Sequence, residues 1–97
     1  VAKQFFVYIR ASRRNGTLYI GVTSNLVQRV WHHKQNVVEG FTDKYDVKML
    51  VYFESHATAE SAIAREKQVK KWNRAWKMRL IERSNPQWQD LYSAIIG

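Results

Sequence analysis

Two tyrosines, an arginine, a histidine and a glutamate are the side chains whose types and spacing suit chemistry. Tyr8 lies in a run that alternates Phe5, Val7 and Ile9 with Phe6, Tyr8 and Arg10. Tyr19 lies in a second run that alternates Leu18, Ile20 and Val22 with Tyr19, Gly21 and Thr23. Paired as a hairpin, the two apolar sets must share one face, because a one-residue slip turns every side chain over. The two phenols then share the other face. Gly21 lies on that side too, and predicts room above the strand for something to approach the backbone. Arg29 and His33 are four residues apart in the next segment and project together from one face of a helix. Glu66 lies three residues from both Ile63 and Val69, inside the apolar stripe of a later helix. A carboxylate seldom sits there unpaired, since burying the charge is costly. It either pairs with a cation such as Arg29 or binds a metal. Phenol and imidazole move protons, and a guanidinium fork clamps phosphate oxygens.

The elements that must position these groups follow from patterning. Strand one runs from about Gln4 to Arg10 and strand two from about Thr17 to Thr23, joined through Arg13-Arg14-Asn15-Gly16. Asn-Gly is a strong turn signal because both residues tolerate positive φ. A two-residue Asn-Gly turn is expected to offset the phenols along their face, and a four-residue loop to bring them opposite each other. A helix follows, with Ser24 or Thr23 as N-cap and an apolar stripe of Leu26, Val27, Val30 and Trp31. Gln35 to Asp46 reads as a loop broken at Gly40 and pinned by Phe41 and Tyr45. Val47 to Glu54 reads as a third strand, nearly continuous in apolar residues and so covered on both faces. Thr58 is the expected N-cap of a second helix over about Ala59 to Trp72. A third helix spans roughly Arg74 to Arg83, with Met78, Leu80 and Ile81 inward, and Asn85-Pro86 ends it. Trp88 to Ile96 forms a terminal helical turn that packs back. The expected fold is one α/β domain over residues 1–97, with a small three-stranded, mostly antiparallel sheet flanked by helices.

Composition narrows the function classes. The chain has 97 residues, 45% hydrophobic and 13% aromatic, as in a folded globule rather than a disordered tail. It has no cysteine, which excludes disulfides and cysteine-ligated zinc. The aliphatic-aromatic run Phe5 to Ile9 is far too short to span a membrane. The first ten residues read as strand rather than as a leader, so a cytoplasmic protein is expected. The net charge of +8 favours a polyanionic partner, most simply nucleic acid, over an acidic membrane surface. Much of that charge falls in one stretch: Arg65, Lys67, Lys70, Lys71, Arg74, Lys77, Arg79 and Arg83, against Glu66 and Glu82. Trp72, Trp76 and, further on, Trp88 are interleaved. Basic side chains with aromatics suit phosphate contact plus base stacking, although tryptophans at helical spacing also serve as core anchors.

The ordered set Phe6-Val7-Tyr8, Tyr19-Ile20-Gly21, Arg29 and His33 resembles the GIY-YIG nuclease superfamily. Phe6 stands where the name-giving glycine would be. The chain's length and its AIAREKQVKKW and NPQW segments are similar to the small stand-alone bacterial members, predicted endonucleases related to the amino-terminal nuclease domain of excinuclease C. The resemblance covers nearly the whole chain. It implies that the metal-binding glutamate on the second helix is Glu66, and that a late polar residue corresponds to Asn85 or Asn73.

The expected activity is then metal-dependent endonucleolytic hydrolysis of DNA, in DNA repair or processing. One divalent ion, Mg²⁺ or Mn²⁺, would sit on Glu66, and Arg29 would clamp a non-bridging oxygen. Tyr8 would be the general base or would position the water, with Tyr19 and His33 shaping its proton affinity. A phenol has a reference pKa of about 10, so Arg29, Arg10 and the metal must lower it. Arg65, Lys67, Lys70, Lys71, Arg74 and Lys77 are the expected nucleic-acid contacts, and a monomer is expected. Jointly, the two tyrosines, the arginine, the histidine and Glu66 are expected on one side of the small sheet; taken singly, each candidate has a plainer reading. The tyrosines would be half-buried packing residues, and Arg29 and His33 solvated helix residues. His32 and His56 carry no spacing signal and read as surface residues. Two other classes stay open: a non-catalytic nucleic-acid-binding module of the same fold, and a basic protein-interaction domain.

Overall fold

β-Branched and aromatic residues at alternating positions form β1 (Phe5–Ala11) and β2 (Leu18–Thr23), and a third such run forms β3 (Met49–His56). A computed structural model describes residues 4–35 and 47–96. The expected loop from Gln35 to Asp46, with Gly40, Phe41 and Tyr45, therefore lies outside the described residues except at Gln35. The strands form one antiparallel sheet in the order β2-β1-β3, so β1 is central. The helices are α1 (Leu26–Lys34), α2 (Ala59–Lys71), α3 (Arg74–Ser84) and the short α4 (Tyr92–Ile95). Among the described residues no helix is long and apolar enough to cross a membrane.

The hairpin closes on Ser12 and Thr17. The Ser12 amide donates to the Thr17 carbonyl at 3.0 Å, and the Thr17 amide to Ser12 Oγ at 3.0 Å. Asn15 takes a φ of 59° in the loop between them, where asparagine is tolerated. Arg74 on α3 pins the loop from outside, its Nη2 donating to the carbonyls of Asn15 and Gly16 at 2.7 and 2.6 Å. Counting back from the Ser12–Thr17 closure pairs Arg10 with Tyr19 and Tyr8 with Gly21. The loop thus has four residues, Arg13 to Gly16, yet the phenols end up as diagonal neighbours rather than opposite each other. The expected geometry of the longer loop is corrected by this register.

β3 runs antiparallel to β1, and its register slips by one between Ile9, which faces Tyr52, and Arg10, which faces Leu50. Val51 is the extra residue of that bulge. Its carbonyl is taken by Nδ2 of Asn85 at 3.0 Å. Both faces of the sheet are covered, which accounts for the near-continuous apolar run in β3. One face packs Val7, Ile9, Ala11, Ile20 and Val51 against Ala62, Val69, Ile81 and Trp88 from the α2–α3 side of the chain. The other packs Tyr8 and Leu50 against Leu26 and Val30 of α1, with Leu91, Tyr92 and Ile95 of the tail beside them. Only half of the expected α1 stripe is buried: Val27 and Trp31 are exposed.

Local side chains set the helix starts. Thr58 accepts from the Ser61 amide at 3.1 Å, and Asn73 Oδ1 from the Trp76 amide at 2.9 Å. For α1 the cap is Asn25, whose Oδ1 accepts from the Gln28 amide at 3.2 Å. This replaces Ser24 or Thr23, the expected caps; Thr23 instead accepts from the Asn25 amide at 3.1 Å and fixes the approach to the helix. The tail is bonded to the sheet. The Leu91 amide donates to the Leu50 carbonyl at 2.7 Å, Asp90 Oδ1 accepts from the Leu50 amide at 3.2 Å, and Asp90 pairs with Lys34 of α1. Trp88 takes a left-handed φ of 54°, and its buried ring donates from Nε1 to Glu82 at 2.6 Å.

Candidate active site

Gly21 is where the local sequence builds the site. A Cβ at this position would lie 2.5 Å from the Tyr8 hydroxyl oxygen and 2.6 Å from its Cζ. Only a residue without a side chain lets the phenol of β1 lie across β2. The space expected above Gly21 is therefore filled by Tyr8 itself, which is 1% exposed. The Tyr19 ring stands beside it, with centroids 6.4 Å apart and planes tilted by 38°.

Arg10 shares this face and is fully buried. Its guanidinium carbon lies 4.4 Å from the Tyr19 ring centroid and 5.6 Å from that of Tyr8. Nη1 donates to the Val47 carbonyl at 3.2 Å, while Nε and Nη2 have no hydrogen-bond partner among the described residues. Burying a cation is expensive, and two electron-rich ring faces offset part of that cost. Sequence reading named Arg10 only as a neighbouring charge. The signal was there: alternation already put it on the Tyr8 side of the strand.

Electrostatics bear on the expected role of Tyr8. Burial pushes its phenol above the ordinary value of 10, against the opposing pull of Arg10 and Arg29. Desolvation of the phenolate outweighs the two cations. Arg10 and Arg29 pull this pKa down as expected, but burial outweighs them, and with these two cations alone Tyr8 keeps its proton at neutral pH.

Arg29 is exposed on α1 and forms no ion pair among the described residues. It lines two adjoining cavities. One of about 300 Å³ is bounded by the end of β2 (Val22, Thr23, Ser24), by Phe5, and by Ala59 and Ile63 of α2. The other, about 380 Å³, is bounded by Asn25, Gln28 and His32. His33 lies on α1 one turn beyond Arg29; its side chain is outside the described set.

Glu66 sits elsewhere. Its carboxylate pairs with Lys70 one turn along α2, at 2.5 Å, and not with Arg29. The helix that carries it packs Ala62 and Val69 on the sheet face opposite the tyrosines. The expectation that all five residues share one side of the sheet is corrected here. The apolar stripe of α2 seeks the Val7–Ile9–Ile20 face, and Glu66 goes with it. The two layers approach each other at the end of the outer strand β2, where Arg29 and Ile63 line one cavity. No group of three histidine, aspartate or glutamate residues placed to hold a metal occurs among the described residues.

Three of the six expected nucleic-acid contacts are internal ties. Arg65 Nε donates to Glu54 at 3.2 Å and Nη1 to Gln68 at 2.9 Å, Lys70 holds Glu66, and Arg74 holds the hairpin loop. Lys67, Lys71 and Lys77 have no ion pair among the described residues. His56, read as a surface residue, is in fact bridged between Glu54 and Ser61, at 2.6 Å on each ring nitrogen. Of the two late asparagines, Asn73 is a helix cap and Asn85 is buried. Asn85 donates to the Val51 and Gln89 carbonyls and accepts from the Gln89 amide.

Known proteins share this fold. The family model for the GIY-YIG catalytic domain matches residues 4–79, from β1 well into α3. The chain belongs to the GIY-YIG family. This GIY-YIG chain is 31% identical over 80 residues to a UPF0213 protein of Pediococcus pentosaceus, covering 82% of its own length and 83% of that protein. It is 31% identical over 77 residues to a UPF0213 protein of Staphylococcus haemolyticus, covering 79% of its own length and 93% of the relative. The solution NMR structure of a UPF0213 protein from Bacillus halodurans superposes with a TM-score of 0.56 at 23% identity, over 90% of this chain and 92% of that one. That likeness shows the α/β fold. Phe6, in place of the family's first glycine, is partly buried and packs against the Tyr8–Leu26 cluster of the GIY-YIG sheet.

Proposed function

We propose that this domain hydrolyses phosphodiester bonds in DNA as a metal-dependent endonuclease. The observation that carries the reading is the gathering of Tyr8, Tyr19 and the charge of Arg29 on one face of the sheet, in a chain of a nuclease family.

Glu66 is the residue that would hold a divalent ion, Mg²⁺ or Mn²⁺. Its side chain keeps 13% of its surface exposed, and its partner Lys70, 52% exposed, is free to turn aside. A single carboxylate fits an ion that retains most of its waters and takes phosphate oxygens as further ligands. When bound, the ion would neutralise charge on the phosphate and stabilise the 3′ leaving oxygen. Arg29, exposed between two cavities and without an ion pair among the described residues, grips a non-bridging oxygen through its fork. Tyr8 holds its proton, and a phenol that stays protonated suits positioning of a water by hydrogen bonding better than abstraction of its proton. Tyr19, partly exposed on the outer strand, is the phenol more open to a bound strand. DNA would lie across the end of β2, where Arg29 of α1 and Ile63 of α2 line one cavity.

The second reading is a binding module of the same fold without turnover. The burial of Tyr8 to 1% and the Phe6 packed beside it favour this alternative. The deciding experiment incubates the protein with labelled single-stranded, duplex and branched DNA, with Mg²⁺, with Mn²⁺ and with chelator. Cleavage that chelator abolishes supports the enzyme. Salt-sensitive binding with no cleavage under any condition leaves the module.

A further inference from the structure

On the other side of the molecule, α2 and α3 enclose a cleft of about 200 Å³ lined by Arg65, Trp72, Trp76, Arg79, Leu80 and Arg83. These helices cover the Val7–Ile9 face, so the cleft is separate from the tyrosine cluster. We propose that it is a stacking site for one unpaired base of a single-stranded nucleic acid, Trp76 taking the base and Arg79 and Arg83 the flanking phosphates. The proposal rests on the nucleic-acid part of the reading above and not on turnover.

Spacing makes the cleft a coherent surface. Trp76, Arg79, Leu80 and Arg83 stand three, four and seven residues apart along α3, and so form one stripe of that helix. Leu80 packs down into the core, while Trp76 remains 50% exposed. A tryptophan left half in water at the start of a basic stripe keeps ring surface open to a ligand. Its support is rigid: Trp72 meets it edge-on, with centroids 5.9 Å apart and planes at 78°. Trp72 is capped by the Arg65 guanidinium 5.0 Å from its ring centroid, and Arg65 is anchored on Glu54.

Charge selects the ligand. Arg79 and Arg83 are exposed, and neither has an ion pair among the described residues. Like charges one helical turn apart repel, and an anion between them removes that repulsion. Size selects it further. A cavity of about 200 Å³ falls below the roughly 300 Å³ at which drug-sized ligand pockets begin, so it suits one planar ring rather than a whole cofactor. Planar ring, adjacent anions and an aromatic platform together describe a nucleobase with its backbone phosphates. A duplex keeps its bases stacked on one another and has none to offer.

The test measures anisotropy of a labelled oligothymidylate and of a labelled duplex of equal length, for wild type, Trp76→Ala, Trp76→Phe and the double variant Arg79→Ala/Arg83→Ala. Trp76→Ala should weaken single-strand binding by about ten-fold or more. Trp76→Phe should recover most of that loss, and duplex affinity should move by less than about two-fold in both. The double variant should flatten the log–log salt slope on the single strand by about 1.4. Wild-type affinity retained by Trp76→Ala, alongside salt-sensitive DNA binding by the wild type, overturns the cleft and leaves the nucleic-acid reading standing. Absence of binding to either DNA form at low salt overturns both. Competition by polyglutamate as effective as by oligothymidylate of equal charge would make the cleft a dock for acidic protein, and the proposal fails.

Discussion

Replacing Glu66 by glutamine separates a structural carboxylate from a functional one. The substitution keeps size and removes only the charge. Had Glu66 paired with Arg29 in the interior, breaking that pair would cost about 3–5 kcal/mol. The actual partner is Lys70, one turn along the same helix and half exposed. Exposed helix pairs of this kind contribute about 0.3–0.5 kcal/mol. In a domain of this size 1 kcal/mol moves the melting temperature by about 4–8 °C, so the expected drop is roughly 1–4 °C, against more than about 10 °C for the buried pair. Thermal unfolding by circular dichroism, with and without Mg²⁺, reads this directly. The same preparation should bind DNA and no longer cut it at any Mg²⁺ concentration. A fall of more than about 10 °C would refute the packing argument. Full cleavage by a stable variant would sink the metal assignment.

Tyr8→Phe keeps the ring that lies over Gly21, so the melting temperature should stay close to wild type while cleavage falls roughly a hundred-fold. Because burial raises the Tyr8 pKa above 10, the phenol does not ionise between pH 6 and 9. A cleavage rate that climbs ten-fold per pH unit across that range, and loses the climb in Tyr8→Phe, would restore the general-base role. Gly21→Ala drives a methyl to 2.5 Å from the Tyr8 hydroxyl oxygen and should destabilise by about 1–3 kcal/mol; an unfolding curve that overlays wild type would mean the ring lies elsewhere. Asn85→Ala leaves the Val51 bulge carbonyl without its donor and should cost about 1–3 kcal/mol by denaturant titration, whereas a surface-like cost below about 0.5 kcal/mol contradicts the clamp. Lys67→Glu with Lys71→Glu should weaken binding to all DNA sequences alike and reduce its salt dependence; an unaltered salt slope removes these lysines from the phosphate contacts.

Alternation and turn chemistry made the sheet legible from residues alone. Phe5, Val7 and Ile9 matched with Leu18, Ile20 and Val22 leave one face for Tyr8 and Tyr19, whatever the loop does, because pleating has a period of two. The cap of α2 was likewise local, since Thr58 bonds an amide only three residues away. What the chain order did not carry is which layer each helix joins. Local periodicity says that α2 has an apolar stripe, and it is silent on which sheet face receives it. So Glu66 was expected beside the tyrosines, and packing took it to the opposite face. The same limit hid Asn85, whose partner is a carbonyl freed by a bulge 34 residues away. It also hid the proton affinity of Tyr8. Sequence supplies the neighbouring cations, but the desolvation that outweighs them exists only once α1 and the tail have closed over the ring.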